Sequence, residues 1–291
     1  MVSRRFQTVD LPKVHRGALR SPGFRTRLPH WQNDMIHSAS GTGLAARVQM
    51  NAMTNKSVSA MNADTADKII VALDLPHLQA AHALVSKLGD AASFYKIGYE
   101  LAFIGGLDLA RELIAAGKKV FIDLKLHDIP NTIEKGVGQI ATMGATFLTV
   151  HAYPQTLAAA AKGAHGSGLG ILGVSVMTSM NDEDLVEAGY CLTVEKLVVL
   201  RAKQAKAAGA AGLICSAGDI ANVRAAVGDG LKLITPGIRP AGSAVGDQKR
   251  VMTPGEAIRA GADHLVIGRP VTAAADPAEA FGAILAEIGG I

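Results

Sequence analysis

The chain has 291 residues, of which 49% are hydrophobic, so it can bury the core of one barrel-sized domain or of two smaller ones, and disorder is excluded over most of it. No uninterrupted apolar stretch approaches the roughly 20 residues that cross a bilayer, which excludes a membrane-spanning helix. The positive charge is concentrated at one end: residues 1–60 hold nine Lys/Arg and two Asp/Glu, whereas the remainder holds 20 Lys/Arg and 23 Asp/Glu, for a net charge of +4. The main domain is therefore slightly acidic, and no nucleic-acid-binding surface is expected on it.

Residues 1–62 form a basic, irregular N-terminal extension without helical or strand periodicity. Three interpretations are open. The segment is rich in Arg and poor in acids, as a transit peptide is. It is also typical of a disordered arm that contacts anionic partners. The third interpretation, which we favour, is a start codon assigned too far upstream, because Met50, Met53 and Met61 precede the first strand and Met61 leads directly into folded-looking sequence.

From Lys68 onward, short apolar segments alternate with Ala-rich amphipathic segments. Eight segments are typical of strands, namely Ile69–Asp74, Ser93–Gly98, Val120–Lys125, Phe147–His151, Gly170–Val176, Gly212–Ser216, Leu231–Thr235 and His264–Ile267. Helical periodicity lies between them, as in Leu78–Leu88, Leu107–Ala116, Thr132–Thr142, Thr193–Ala208 and Pro254–Gly261. Eight β–α units with strands that are apolar on both faces predict an α/β fold, a single (β/α)8 TIM barrel over residues 63–291.

The cysteines of the chain, Cys191 and Cys215, match no metal-ligand spacing and cannot build a disulfide framework. Reduced thiols are typical of the cytoplasm, which is the compartment we expect. Cys215 lies in the apolar run that starts at Gly212, so the sequence predicts that its side chain is buried in the core.

Polar residues stand at or just beyond the carboxyl ends of the strands, where barrel enzymes place their chemistry, namely Asp74, Lys96, Asp123, Lys125, His151, Ser216 and Arg269. Asp123 and Lys125 are two apart on one strand, so both side chains are predicted to point into the barrel mouth, and Asp128 follows in the loop. A lysine between two carboxylates remains charged, because opposite charges favour its ionised form, and it is a fixed cation and proton donor. The alternative is a structural ion-pair ladder. Lys96 extends the pattern to an alternating array, which is costly to assemble without a function.

The segment Gly268-Arg269-Pro270 follows the last strand and is predicted to begin the final helix. A helix amino terminus and an Arg side chain together favour an anion, at a place where barrels often hold phosphate. The long segment Thr235–Arg250 is predicted to be a lid that brings Arg239 and Gln248 over that phosphate.

Several segments resemble the orotidine 5'-phosphate decarboxylase family, in order, over about residues 67 to 278. They are Ile70-Val-Ala-Leu-Asp74, Tyr95-Lys-Ile-Gly98, Phe121-Ile-Asp-Leu-Lys-Leu-His-Asp-Ile-Pro-Asn-Thr132, Val176-Met-Thr-Ser-Met180, Thr235-Pro-Gly-Ile-Arg-Pro240, Gly246-Asp-Gln248 and Val266-Ile-Gly-Arg-Pro-Val271. The resemblance implies decarboxylation of orotidine 5'-phosphate to UMP, the last step of pyrimidine synthesis, without a cofactor or a metal.

The resemblance also implies a role for each matching residue. Lys125 donates the proton to C6 of the pyrimidine, and Asp123 lies beside the departing carboxylate. Lys96 and Asp74 contact the ribose, and Lys96 also orders the charges. The other substrate contacts implied are Thr178 and Ser179 at the pyrimidine, and Gln248, Gly268, Arg269 and Arg239 at the phosphate. The residues implied to complete the site of a neighbouring subunit, and hence a homodimer, are Asp128, Ile129 and Thr132.

Two other functions compete with this one. The hexulose-phosphate synthase and keto-gulonate-phosphate decarboxylase relatives share the Asp-x-Lys-x-x-Asp strand but hold Mg, with a Glu where this chain has Lys96, and a lysine there repels a divalent cation. A non-catalytic nucleotide-binding barrel is the second alternative, and an intact Lys125 flanked by acids argues against it. Of the nearby histidines, His151 is expected to be hydrogen-bonded at the barrel mouth rather than a base, and His127 to pack away from the charges.

Overall fold

The computed structural model describes residues 64–241 and 252–291. Their strands close into a parallel barrel in sequence order, with β1 hydrogen-bonded to β8. The strands are β1 Ile69–Ala72, β2 Phe94–Ile97, β3 Lys119–Leu126, β4 Phe147–His151, β5 Gly170–Val174, β6 Gly212–Ile214, β7 Lys232–Pro236 and β8 His264–Ile267. The predicted (β/α)8 barrel is confirmed, and the predicted strand ends agree to within two residues.

Helices follow the strands around the outside of the barrel. They are α1 Leu78–Leu88, α2 Leu107–Ala115, α3 Pro130–Ala141, α4 Pro154–Gly163, α5 Asp182–Glu187, α6 Val194–Ala207, α7 Ile220–Val227, α8 Pro254–Arg259, α9 Arg269–Thr272 and α10 Pro277–Gly289. The apolar face of each packs against the outward side chains of the strands, in a layer that includes Cys215, whose predicted burial is confirmed. In the described residues, no helix is both long and apolar enough to cross a membrane.

The prediction that Arg269 begins the final helix was wrong. Arg269–Thr272 is a single turn, and the final helix begins at Pro277. The restart has a local cause, because the Asp276 side chain accepts hydrogen bonds from the backbone N–H groups of Ala278 and Glu279. An aspartate N-cap followed by proline is a strong helix start, and it fixes α10 as a separate element.

The barrel interior is a second apolar cluster, separate from the layer under the helices. Its side chains come from alternate positions of the strands, namely Ile70, Ala72, Phe94, Phe121, Phe147, Leu172, Val174, Ile214, Ile234 and Val266. Full burial of each large side chain contributes roughly 1.5–3 kcal/mol. Because strand side chains alternate, a residue two positions after an interior residue also points inward, and after the last interior residues of the strands such positions face the mouth at the carboxyl ends. Asp74, Lys96 and Asp123 occupy such positions.

Strand β3 contains a bulge. Ile122 pairs with Leu148 and Leu126 pairs with Val150, so residues 123–125 of β3 lie opposite one residue of β4. We call residues 123–125 the β3 bulge. A bulge next to an active site redirects a side chain, and here it changes the path of the chain between Asp123 and Lys125. Both residues belong to β3 and both side chains line the mouth, as predicted, but the sequence did not predict the irregular register between them.

Candidate active site

A cavity of about 540 Å³ opens at the carboxyl ends of the strands. Its walls include most of the residues that the sequence singled out, namely Asp74, Lys96, Asp123, Lys125, Thr178, Ser179, Arg239, Gly268 and Arg269. Apolar side chains of the barrel interior, such as Phe121 and Val266, form its floor. One cavity thus contains both the charged groups and the predicted phosphate-binding end.

The charged groups form a chain of ion pairs across the first three strands. Lys96 Nζ lies 2.8 Å from Asp74 Oδ1 and 3.4 Å from Asp123 Oδ2. Lys125 Nζ lies 2.8 Å from Asp123 Oδ1. The order Asp74–Lys96–Asp123–Lys125 confirms an alternating array. Within one chain the lysine between two carboxylates is Lys96, and the predicted place of Lys125 between Asp123 and Asp128 is not found there.

The environment keeps Asp123 ionised. Burial alone would raise the pKa of its carboxyl group, but the charges of Lys96 and Lys125, with hydrogen bonds from Lys125 and Thr149, hold that pKa below its ordinary value. The site therefore presents a fixed negative charge beside two ammonium groups. Removal of either lysine would leave this carboxylate less compensated.

Gly98 leaves room for the Lys96–Asp74 ion pair. A Cβ atom at Gly98 would lie 2.9 Å from Lys96 Nζ and 3.0 Å from Asp74 Oδ1. We expect Gly98→Ala to displace the ammonium and to lower kcat/KM by about ten- to a hundredfold, since misplacement of a catalytic group by about an ångström can cost up to about a hundredfold. Both contacted atoms end flexible side chains, so the midpoint of thermal unfolding should stay nearly unchanged.

The control for this variant is Gly138→Ala, on the exterior helix α3, where an added Cβ atom would meet no atom closer than 3.8 Å. Gly117→Ala would be a poor control, because Gly117 has a φ of 76° and an alanine there would be strained. Equal activity of the Gly98 and Gly138 variants would contradict this role.

The backbone of Lys125 has a φ of 42°, and among the described residues no other non-glycine residue has a positive φ. This left-handed conformation costs free energy for a side chain with a Cβ atom. Two side chains support it: the Lys125 N–H donates to Thr149 Oγ1 at 3.0 Å, and the Tyr99 hydroxyl donates to the Leu124 carbonyl at 2.7 Å. The Lys125 ammonium also stands 5.9 Å from the centre of the Tyr99 ring.

The opposite part of the cavity follows β7 and β8. Gly268 and Arg269 lie where β8 passes into the short helix α9. Arg239 is buried beside the end of β7, and its backbone N–H donates to the Met252 carbonyl at 3.1 Å. It therefore belongs to the wall of the cavity. The predicted lid lies largely, with Gln248, outside the described residues.

Three predicted residues do not line this cavity, namely Asp128, Ile129 and Thr132. The Asp128 carboxylate accepts a hydrogen bond from the Ile129 N–H at 2.6 Å, and no ion pair of Asp128 occurs among residues 64–241 and 252–291. Ile129 is 65% exposed, which is unusual for so apolar a side chain. Thr132 lines a separate, open depression on α3. Within one chain these residues therefore lie outside the cavity that holds the charge array.

Sequence reasoning missed Thr149 and Tyr99. Thr149 stands two residues after the inward Phe147, so strand alternation alone could have placed it at the mouth. Tyr99 begins a helical turn after β2, and nothing in its spacing predicted that it would reach Leu124.

The two histidines near the mouth take no direct part in the cavity. His127 stacks on Tyr153 at 4.5 Å between ring centres and contacts Thr156 Oγ1 through Nδ1, as predicted for a residue that packs locally. His151 contacts the His127 ring, and no hydrogen bond of its side chain occurs within the described part of the chain. Hydrogen bonding of His151 at the barrel mouth therefore stays a prediction. Burial, and then the charges of His127, Arg201 and Lys125, lower the pKa of its ring.

Residues 67–284 match the family model described as "Orotidine 5'-phosphate decarboxylase / HUMPS family". The chain belongs to this family. The match spans the whole described barrel up to the middle of α10, including every residue of the charge array. In the described residues, no group of three or more His, Cys, Asp or Glu side chains is arranged to hold a metal ion.

Relatives within the orotidine 5'-phosphate decarboxylase / HUMPS family are close. The orotidine 5'-phosphate decarboxylase of Afipia carboxidovorans is 63% identical over 222 residues, which cover 76% of this chain and 94% of the relative. That of Rhodopseudomonas palustris strain BisA53 is 61% identical and covers 77% and 95%. The crystal structure of orotidine 5'-phosphate decarboxylase from Lactobacillus acidophilus is 38% identical, with a TM-score of 0.68 and coverage of 76% and 98%.

Proposed function

We propose that the chain decarboxylates orotidine 5'-phosphate to UMP, with Lys125 as the proton donor and without a cofactor or metal. The observation that carries the mechanism is the array Asp74–Lys96–Asp123–Lys125 in a cavity that also contains Arg269. The relatives that carry this activity in their names match the chain over more than nine tenths of their own length.

The reaction breaks the bond between C6 of the pyrimidine and its carboxylate. Carbon dioxide leaves, the electron pair of the bond remains on C6, and a proton moves from Lys125 Nζ to C6. The resulting neutral amine regains a proton from solvent. Because no ring π orbital is aligned with the new electron pair, an ammonium placed beside C6 is the principal stabilising group.

Lys125 alone does not account for catalysis. At about 4 Å and an effective dielectric constant near 20, the interaction of one ammonium with one carbanion is about 4 kcal/mol. Large enzymatic rate enhancements need on the order of 20 kcal/mol. The remainder comes from orientation and from binding energy at the distant phosphate. The Asp123 carboxylate, held ionised, repels the substrate carboxylate and adds strain in the ground state.

The substrate is oriented along the cavity. Gly268, Arg269 and Arg239, together with Gln248, bind the phosphate. Asp74 and Lys96 contact the ribose, and Thr178 and Ser179, after β5, contact the pyrimidine. The apolar floor of the cavity suits the flat ring, and its polar rim suits the ribose and the phosphate.

A homodimer completes the site in this proposal. Asp128, Ile129 and Thr132 do not line the cavity of their own chain, and Ile129 is 65% exposed. Apolar side chains in the segment between β2 and α2 are also exposed, with Phe103 at 78% and stacked on Tyr99. A second copy that covers Ile129 would bring Asp128 to the partner's charge array. We place the protein in the cytoplasm, where a free, exposed Cys191 remains reduced.

The metal-dependent activity within the same family is the alternative. In this chain the ammonium of Lys96 lies between Asp74 and Asp123, the carboxylates that could otherwise hold a cation. A divalent ion would have to displace that ammonium, so the charge array supports metal-free chemistry.

The test is turnover of orotidine 5'-phosphate by the purified full chain, followed by the loss of substrate absorbance and by detection of UMP. We expect activity that is unchanged by excess EDTA and not increased by Mg²⁺. Absence of turnover would contradict the proposed reaction. Turnover that EDTA removes and Mg²⁺ restores would contradict the metal-free mechanism.

A further inference from the structure

The β3 bulge lies opposite a single residue of β4, Thr149. In a regular pair of parallel strands, the backbone of β4 would supply a hydrogen-bond acceptor to each successive N–H of β3 that faces it. The two extra residues of the bulge break that ladder, so buried backbone groups in it need other partners. The partner of the Lys125 N–H is the side chain of Thr149.

The Thr149 hydroxyl makes two hydrogen bonds at once. It donates to Asp123 Oδ1 at 2.8 Å and accepts from the Lys125 N–H at 3.0 Å. A hydroxyl has one donor hydrogen and two acceptor lone pairs, so both bonds can form together. Thr149 is completely buried, so water does not compete for either bond.

The two bonds close a small ring of contacts around the reacting groups. Asp123 Oδ1 accepts from Lys125 Nζ at 2.8 Å and from the Thr149 hydroxyl, and the same hydroxyl binds the Lys125 backbone. The Thr149 side chain therefore links the carboxylate and the backbone of the lysine, which is held in a left-handed conformation. Thr149 itself is not among the described residues that line the cavity.

We infer that Thr149 is a positioning residue for decarboxylation, which fixes the Asp123 carboxylate and the Lys125 backbone relative to each other. This inference rests on the proposed function, because it assigns to Thr149 an effect through Asp123 and Lys125. Thr149 also contributes to the low pKa of the Asp123 carboxyl group, by a hydrogen bond that adds to the larger effect of the two lysines.

The experiment compares Thr149→Val, which keeps the shape of the side chain but removes the hydroxyl, with Thr149→Ser, which keeps the hydroxyl. We expect the valine variant to lower kcat by about ten- to a hundredfold, with KM changed by less than about threefold, because hydrogen bonds to a charged group and its alignment are lost. The serine variant should restore kcat to within about fivefold of the wild type. The acid limb of kcat/KM should move to higher pH in the valine variant, since loss of the hydrogen bond raises the pKa of Asp123.

Thr235→Val is the matched control. Thr235 is also completely buried, within strand β7 and not among the residues that line the cavity, so it is not part of the predicted lid, and its hydroxyl is without a hydrogen-bond partner in the described part of the chain. Its replacement removes a buried threonine hydroxyl without touching the β3 bulge, so kcat and the pH profile should match the wild type. An equal loss in this control would show that the loss in Thr149→Val is a general effect of the barrel, and would overturn the inference.

A second readout does not depend on turnover. Proteins labelled with ¹³C at the Asp carboxyl carbons allow the titration of Asp123 to be followed by NMR, with Asp123→Asn to assign its signal. We expect a higher pKa of Asp123 in Thr149→Val than in the wild type or in Thr149→Ser. Wild-type kcat with an unshifted titration in Thr149→Val, or a serine variant as impaired as the valine variant, would overturn the role of Thr149. A wild type that does not turn over orotidine 5'-phosphate would contradict the proposed function, and the titration would still decide on Thr149.

Discussion

Replacement of Lys125 by methionine is expected to lower kcat for orotidine 5'-phosphate by at least about a thousandfold, because an interaction of about 4 kcal/mol with the developing carbanion is lost together with the proton donor. Methionine retains most of the length and apolar volume of the side chain. The Asp123 carboxylate keeps Lys96 at 3.4 Å and the Thr149 hydroxyl at 2.8 Å as partners, so the fold should survive. Single-turnover kinetics would measure the loss, and calorimetric titration with UMP should show a Kd within about tenfold of the wild type.

Lys119→Met is a control on the same strand. Lys119 begins β3 at the opposite end of the barrel and also forms an ion pair, with its Nζ 2.6 Å from Asp67 Oδ2. That pair is half exposed, and its loss should cost less than about 1 kcal/mol of stability and leave kcat unchanged. A Lys125→Met enzyme that keeps more than about a tenth of the wild-type kcat would contradict the assignment of Lys125 as proton donor.

The barrel and the charge array could be predicted because both follow from local rules. Strand alternation places Asp74, Lys96 and Asp123 two residues beyond inward apolar positions, and parallel strands bring their carboxyl ends to one mouth. A cavity lined by all three follows from that geometry. The order of the charges could not be predicted as reliably, because it depends on which side chains bend toward each other across strands. Within one chain it is therefore Lys96, and not Lys125, that lies between two carboxylates.

The path of the chain between Asp123 and Lys125 also could not be predicted from the sequence. A bulge changes the count of residues between two paired strands, and apolar periodicity contains no signal for it when the residues involved are charged. The final helix was misplaced for a related reason, since Gly268-Arg269-Pro270 and Asp276-Pro277 are both good helix starts. Where two helix starts are both acceptable locally, the packing of the segment decides which of them begins the long helix.

Asp128, Ile129 and Thr132 are the residues on which the proposed homodimer can be tested. These residues belong to the same sequence segment as Asp123 and Lys125, yet they do not line the cavity of their own chain. If a second copy receives them, Asp128→Ala should lower kcat by about a hundredfold even though Asp128 lies outside its own cavity, because the partner's array loses a carboxylate.

Mixed dimers distinguish a shared site from a site within one chain. We expect Lys125→Met and Asp128→Ala to be nearly inactive alone, and to recover activity when both are produced together in one cell with different affinity tags. In a mixed dimer, one of the two sites combines an intact Lys125 with an intact Asp128 from the other subunit. With random pairing, half of the dimers are mixed, so about a quarter of the wild-type activity should return. The direct measurement is a kinetic assay of the mixed dimer purified through both tags, which should have about half of the wild-type activity.

The matched control combines Lys125→Met with Asp123→Asn. Both residues belong to the array of one chain, joined by an ion pair of 2.8 Å, so each site of a mixed dimer contains one defect and no activity should return. The same absence of recovery in the mixture of Lys125→Met and Asp128→Ala would contradict the shared site. Recovery in the test mixture but not in this control would place the division between subunits inside the motif itself, after Lys125 and before Asp128. The short segment would then serve two sites: its first two charges catalyse in their own barrel, and its third catalyses in the partner's.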